Sequence, residues 1–240
     1  MSGKGFTHLH VHTEYSMLDG AARITDLFDH AKELGMGSVA TTDHGYLFGA
    51  FEFWNKAQQA NVKPIIGVEA YVTPGTHRTD RTRIRWGEDA GRDDVSGGGA
   101  YTHMTLWAET TQGMHNLFRA SSLASLEGHF YKPRMDKELL QTYGKGLIAT
   151  TGCPSGEVQT RLRLGQYDAA VQAASDYRDI FGKENYYCEI MDHGLGIEKN
   201  VMADLHKVAK QLNLPLVATN DLHYTHAEDS KAHAALLCVQ

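Results

Sequence analysis

The sequence predicts an α/β fold in which parallel strands are covered by helices. Two observations carry this. Apolar strand-like runs alternate with amphipathic helical patterns about seven times along the chain, the order expected of parallel βα repeats. Side chains able to ligate metals also fall where strands end and βα loops begin, the place where parallel α/β folds gather functional groups. The repeat is compatible with a barrel or with a doubly wound sheet.

Taken in order, Phe6 to His12 reads as a strand, because His8, His10 and His12 alternate with Leu9 and Val11 at the period of two that puts alternate side chains on one face. Ile24 to Leu34 reads as a helix, with Ile24, Leu27, Phe28 and Ala31 on one side. Ser38 to Thr42 is a short strand, Phe48 to Ala60 a helix and Pro64 to Val72 a strand. Tyr101 to Ala108 is a strand followed by a helix from Met114 to Leu126. Gly146 to Thr150 is strand-like, and Gly156 to Phe181 is helical with a break near Gly165. Tyr186 to Met191, Gly196 to Leu212 and Leu216 to Thr219 form a strand, a helix and a strand, and a last helix runs from Ala227 to Gln240.

Two segments depart from the repeat. Gly75 to Ala100 is polar, rich in arginine, aspartate and glycine, and too long for an ordinary connection, which marks it as a functional or mobile loop. The final helix ends on Leu236-Leu237-Cys238-Val239-Gln240 without a stop signal, so the chain is expected to be a piece of a longer protein.

At 240 residues the chain makes one large domain or two small ones, and 42% hydrophobic content with 22% charge suits a water-soluble globule. Histidine is in excess, with 14 against 8 phenylalanines and 3 tryptophans, and metal binding is the first physical explanation. A net charge of -6 excludes an overall nucleic-acid electrostatic footprint. It does not exclude a phosphate substrate, since bound divalent ions offset negative charge locally. The 3 cysteines include no CxxC, which argues for a reducing compartment and against a disulfide framework. No signal-peptide core and no membrane-length apolar run is present, so a cytoplasmic location is expected.

The strand ends supply a consistent set of donors. The first strand offers His10 and His12, with Asp19 in the loop beyond; the second ends in Asp43-His44-Gly45. Glu69 lies within the third, His103 begins the fourth, Cys153 follows the fifth, and the last runs into Asn220-Asp221-Leu222-His223. Imidazole, carboxylate and thiolate all bind zinc, and carboxylates also suit manganese. The set is too large for one four-coordinate ion, so a cluster is implied, and clustered ions favour phosphoester hydrolysis. His8, at the far end of its strand, is read as structural, and His77, His115, His129, His193, His206, His226 and His233 as surface or packing residues.

These residues resemble the polymerase-and-histidinol-phosphatase (PHP) domain family. The stretches His8 to Gly20, Thr42-Asp43-His44-Gly45, Lys63 to Tyr71, Tyr131-Lys132-Pro133-Arg134, Gly152 to Glu157 and Asn220 to Tyr224 carry the likeness. The stretches Tyr15-Ser16-Met17-Leu18-Asp19-Gly20 and Tyr131 to Arg134 point more narrowly to the PHP domains of bacterial replicative DNA polymerase III alpha subunits. The resemblance implies a distorted seven-stranded (β/α)7 TIM-like barrel with ligands at the C-terminal strand ends. It implies a trinuclear centre in which one ion is held by His10, His12, Glu69 and Asp221, a second by Glu69, His103 and Cys153, and a third by Asp19, His44 and His223. Zinc is the expected ion, with manganese or iron(II) as the alternatives.

The implied activity is a 3′–5′ proofreading exonuclease, with Asp19, His12 and Glu69 as the catalytic residues. The implied partners are a single-stranded or mismatched DNA primer 3′ end, the remainder of a polymerase chain and other replisome subunits. The loop arginines Arg78, Arg81, Arg83 and Arg85 are candidates for phosphate contacts, set against Asp80, Glu88, Asp89, Asp93 and Asp94 in the same loop. The competing readings are a non-catalytic domain that metal stabilises and that braces a polymerase module, and a free-standing phosphoesterase for small phosphomonoesters.

Overall fold

The computed structural model describes residues 5–87 and 96–239. The loop acids Glu88, Asp89, Asp93 and Asp94, and Gln240 at the end of the last predicted helix, lie outside the described residues. The fold is α/β, with seven strands and eight α-helices among the described residues. The chain divides into two compact units, Met1–Val68 with Thr219–Gln240, and Glu69–Ala218.

In the first unit, β1 (Ser38–Thr41) runs parallel to the start of β2 (Lys63–Val72), with Ser38 opposite Lys63 and Thr41 opposite Ile66. The predicted strand Phe6 to His12 is reduced to isolated bridges, Val11 to Leu222 and Thr13 to Ala22. Its backbone is still paired on both sides. Ala40 N donates to His8 O at 2.9 Å and Thr42 N to Val11 O at 2.8 Å, while His12 N donates to Leu222 O at 2.7 Å and Leu222 N to His10 O at 3.0 Å. The pairing stays short because Asp221 adopts a left-handed φ of 44°, which bends the partner segment out of strand geometry. Helix α1 (Ile24–Glu33) buries Ile24, Leu27, Phe28 and Ala31, and α2 (Ala50–Ala60) buries Ala50, Phe53 and Ala57. The Phe28 and Phe53 rings meet at 4.7 Å, and burying each contributes roughly 1.5–3 kcal/mol.

In the second unit, the end of β2 pairs in parallel with β4 (Arg134–Met135) and lies beside β3 (Thr102–Ala108). Strand β3 runs antiparallel to β5 (Leu147–Thr150); β5 runs parallel to β6 (Tyr186–Ile190), and β6 to β7 (Leu216–Ala218). The antiparallel β3–β5 pair corrects the all-parallel expectation. A crossover helix is what enforces the parallel sense, and no α-helix joins β2 to β3 among the described residues.

Helix α3 (Thr111–Leu126) starts at Thr110, whose hydroxyl accepts from Gly113 N at 3.0 Å. A Cβ on Gly113 would lie 1.8 Å from Gly146 O, so only glycine lets α3 approach the start of β5 this closely. Helix α4 (Lys137–Tyr143) is capped by Asp136. The sequence pattern predicts neither this helix nor β4, because both are too short to show a period. The expected helical stretch is split into α5 (Glu157–Arg163) and α6 (Tyr167–Phe181), with Gly165 at φ 70° between them. Helix α7 spans Gly196–Leu212, and in the first unit α8 (Ser230–Leu237) buries no side chain.

The described part of the 75–100 segment is tied down. The buried Arg134 guanidinium donates to Gly128 O at 3.0 Å, Ala100 O at 3.3 Å, and Arg78 O and Asp80 O at 2.8 Å each. Trp86 is buried beneath the Arg161 guanidinium, 4.0 Å from the ring centroid.

Arg134→Met is expected to cost about 3 kcal/mol in chemical denaturation, because it strips charged donors from buried carbonyls. Burial pushes the Cys188 thiol up to about 12, whereas an unfolded thiol titrates near ~8.5. The native state therefore keeps the proton longer than the unfolded chain does. That contribution is whole below the unfolded value and is lost as pH rises towards the folded one. Alkylation with mass readout is expected to label the exposed Cys238 in the native protein and Cys188 only after unfolding.

Candidate metal centre

In the first unit the donors converge on His12, which is fully buried. Its Nε2 lies 3.1 Å from Asp221 Oδ1, and His10 Nε2 lies 3.4 Å from the same oxygen. The His12 ring also meets those of His44 at 4.1 Å and His223 at 4.4 Å between centroids. Two sets of ligand atoms, His10 with His12 and Asp221, and His12 with His44 and His223, each fall within 4.8 Å of one another. Asp19 Oδ2 accepts from His44 Nε2 at 2.9 Å. Burial alone would raise the Asp19 carboxyl; the His44 hydrogen bond and the charges of His44, His12 and His223 outweigh it and hold the group below the usual carboxylate range.

The hydrogen-bond network settles the tautomer of His12. Ser16 Oγ gives its proton to Asp43 Oδ1 at 2.8 Å, so it accepts from His12 Nδ1 at 3.1 Å. In the neutral form that binds a metal, His12 then carries its lone pair on Nε2, facing the Asp221 oxygen. Two acceptors facing one another at that distance fit a cation held between them. His223 makes the same arrangement by another route, since its Nδ1 lies 2.7 Å from Asp221 O. A histidine that gives one ring N–H to a carbonyl and offers its other nitrogen is the usual ligand geometry. The residues present therefore fit a bound metal.

The anchor of this arrangement is Asp43, which the sequence presents only as part of the Asp43-His44-Gly45 strand end and not as a ligand in its own right. Asp43 is 4% exposed. It accepts from Thr13 N at 2.7 Å, Thr13 Oγ1 at 2.8 Å, Ser16 Oγ at 2.8 Å and Thr41 Oγ1 at 3.0 Å. Its oxygens are occupied by hydroxyls and an amide, so Asp43 holds the loop rather than an ion. The available signal was the hydroxyl pattern around it, at Thr13, Ser16 and Thr41. Gly20 closes the same loop, where a Cβ would stand 1.9 Å from Thr13 O.

In the second unit Glu69, 1% exposed on β2, receives two neighbours. His103 Nδ1 lies 3.0 Å and Cys153 Sγ 3.2 Å from Glu69 Oε1, with 3.8 Å between Sγ and Nδ1. Gly152, at φ 81°, turns the chain so that Cys153 arrives there. A nitrogen, a sulfur and a carboxylate oxygen within this span form a zinc-compatible donor set.

His8 stacks edge-on against Phe6 at 5.0 Å, and burial, then the charge of His30, lowers its pKa; a neutral packing role fits. Arg78 departs from expectation. Its guanidinium is engaged by Glu127 at 2.7 Å and Asp136 at 3.1 Å, because folding brings these distant carboxylates to it, so it is not available to phosphate. No helix among the described residues is long and apolar enough to cross a membrane.

The PHP domain family model matches residues 8–193. The DNA polymerase III subunit alpha of Saccharopolyspora erythraea is 58% identical over 98% of this chain and 20% of its own length. That of Mycobacterium tuberculosis is 55% identical over 100% of this chain and 20% of its own. The chain thus spans about a fifth of these relatives. An amidohydrolase structure from Chromobacterium violaceum shares the fold, with a TM-score of 0.53 at 14% identity over 97% of each chain.

His12→Ala is expected to lower the metal content of the purified protein, read by elemental analysis. Asp43→Asn, which leaves every donor named above in place, is expected to weaken metal affinity about 10- to 100-fold in competition with a chromophoric chelator.

Proposed function

The chain belongs to the PHP domain family, and on that premise we propose that it is a metal-dependent 3′–5′ exonuclease acting on the 3′ end of a DNA strand. The observation that carries the reading is the His12 arrangement, in which an imidazole lone pair and a carboxylate oxygen face one another at 3.1 Å within two overlapping donor groups. The proposed ligands are His10, His12, Asp19, His44, Asp221 and His223 in the first unit, and Glu69, His103 and Cys153 in the second. Three divalent ions are proposed, and a donor set rich in imidazole with one thiol favours zinc over magnesium or calcium. When bound, such ions polarise a phosphoryl oxygen and bring the pKa of a water ligand towards neutrality.

The chain's own groups do the rest. Asp19, whose carboxylate accepts a hydrogen bond from His44, takes the proton of the attacking water. Ser16 and Asp43 fix the His12 ring, so that its orientation is set before substrate arrives and no reorganisation is needed during reaction. Glu69 and His12, buried in their respective units, present their donor atoms in dry surroundings, where electrostatic interactions are strong.

The name carried by the relatives supports a place within a replicative DNA polymerase. The remainder of such a chain and other replisome subunits are then the proposed partners, and the cytoplasm the proposed location.

The test is release of nucleotides from a mismatched primer 3′ terminus by metal-loaded protein. Asp19→Asn is expected to lower kcat at least ~100-fold with the fold intact by circular dichroism. Undiminished hydrolysis in both Asp19→Asn and His12→Ala would remove this reading. A fully loaded wild type that releases no nucleotide, but melts far lower after chelation, would assign the metal a structural role instead.

A further inference from the structure

The second unit carries a cationic and aromatic strip that leads outward from His103 and takes no part in the donor set. The ring of Tyr71 lies 5.1 Å and that of Tyr101 6.0 Å from the His103 ring, between centroids. Lys132 Nζ stands 5.4 Å from the Tyr71 ring centroid, and the Arg83 guanidinium 5.0 Å from that of Tyr131. Arg83 also donates to Gly97 O at 3.1 Å, and Gly97 lies flat against Tyr101, where a Cβ would come within 2.6 Å of the ring. Arg83 is thereby held between the two tyrosines.

Two features set this strip apart from ordinary surface. Neither Arg83 nor Lys132 forms a salt bridge among the described residues, in contrast to Arg78 five positions earlier in the loop, which is neutralised by Glu127 and Asp136. Tyr131 is 65% exposed and sits at φ 63°. A bulky side chain is rarely kept in that left-handed region, and where it is kept, the strain commonly accompanies function. The backbone holds it there through Phe130 N donating to Lys132 O at 3.1 Å. The result is a ring displayed to solvent beside the Arg83 cation, with the Lys132 ammonium over the neighbouring Tyr71 ring, on a chain whose overall charge is -6.

We propose that Tyr131, Arg83 and Lys132 form a subsite for single-stranded nucleic acid, with a base stacked on Tyr131 and phosphates met by Arg83 and Lys132. An exposed aromatic ring beside cations that no carboxylate among the described residues neutralises is the combination that binds single strands without reading sequence. Lys132 stands over the Tyr71 ring, which meets the His103 ring at 5.1 Å, so a strand whose phosphate meets Lys132 lies near a proposed ligand. The choice of a nucleic-acid strand rests on the preceding reading, and the subsite names how that strand is held.

The test uses the metal-loaded chain and a short fluorescent oligothymidylate with phosphorothioate linkages, so that binding is read without cleavage. Tyr131→Gly is expected to weaken binding about tenfold while the melting temperature holds or rises, because glycine accepts the left-handed backbone. Tyr131→Phe is expected to bind as the wild type does. Arg83→Gln with Lys132→Gln is expected to weaken binding and to reduce the slope of log affinity against log salt by about 1.4. Lys183→Gln, elsewhere on the same unit, is expected to change neither. Unaltered binding in Tyr131→Gly and in the double variant, or an equal loss in Lys183→Gln, overturns the subsite even if nuclease activity is present. A wild type that binds through these residues yet hydrolyses no unmodified strand upholds the subsite and removes the exonuclease reading alone.

Discussion

The Asp43 carboxylate is the interaction on which the first unit's donor arrangement depends. Taking an ionised carboxylate out of water costs several kcal/mol unless hydrogen bonds compensate it. Here the compensation comes from Thr13, Ser16 and Thr41, residues on the very segments that carry His12 and His44. Satisfying Asp43 therefore places the loop, and placing the loop aims the imidazoles. Ser16 transmits this directly: its proton is committed to Asp43, which leaves His12 a single tautomer.

Arg134 plays the corresponding part in the second unit, with the charge reversed. Its guanidinium reaches carbonyls at Gly128, Ala100, Arg78 and Asp80. A planar fork of donors suits several acceptors converging from different loops, which a lysine's point charge cannot match. One buried cation thus ties together backbone carbonyls from the described parts of the 75–100 segment and the turn at Gly128. It also holds the backbone of that stretch in place while Arg83, from the same stretch, stays at the surface against Tyr131.

The two clusters differ in chemistry in a way that follows from their positions. The first unit offers imidazoles and carboxylates carried on loops after short strands. The second offers a carboxylate on a strand, a histidine at a strand start and a thiol after a glycine turn. A buried glutamate such as Glu69 is costly without a cation or donors, and His103 and Cys153 lie against the same oxygen. In both units buried donors, His12 in the first and Glu69 in the second, are proposed to meet an ion, which links the energetics of folding to the occupancy of the sites.

Local pattern determined much of this protein. The period of 3.6 placed α1 and α7, the glycine at 165 separated α5 from α6, and alternation with short apolar runs placed β1, β2, β5 and β6. The donor residues were also legible, because strand ends are defined by the same patterns. The tertiary structure decided what local pattern cannot encode. Strand β3 lies antiparallel to β5, and among the described residues no α-helix carries the chain from β2 to β3. Strand β4 and helix α4 are too short to show a period. Arg78 is withdrawn from solvent by Glu127 and Asp136, which lie far along the chain, and Asp43 becomes a buttress rather than a ligand because distant hydroxyls reach it first. Periodicity is a property of neighbouring residues, whereas the choice of partner for a buried charge belongs to groups that meet only once the chain has folded.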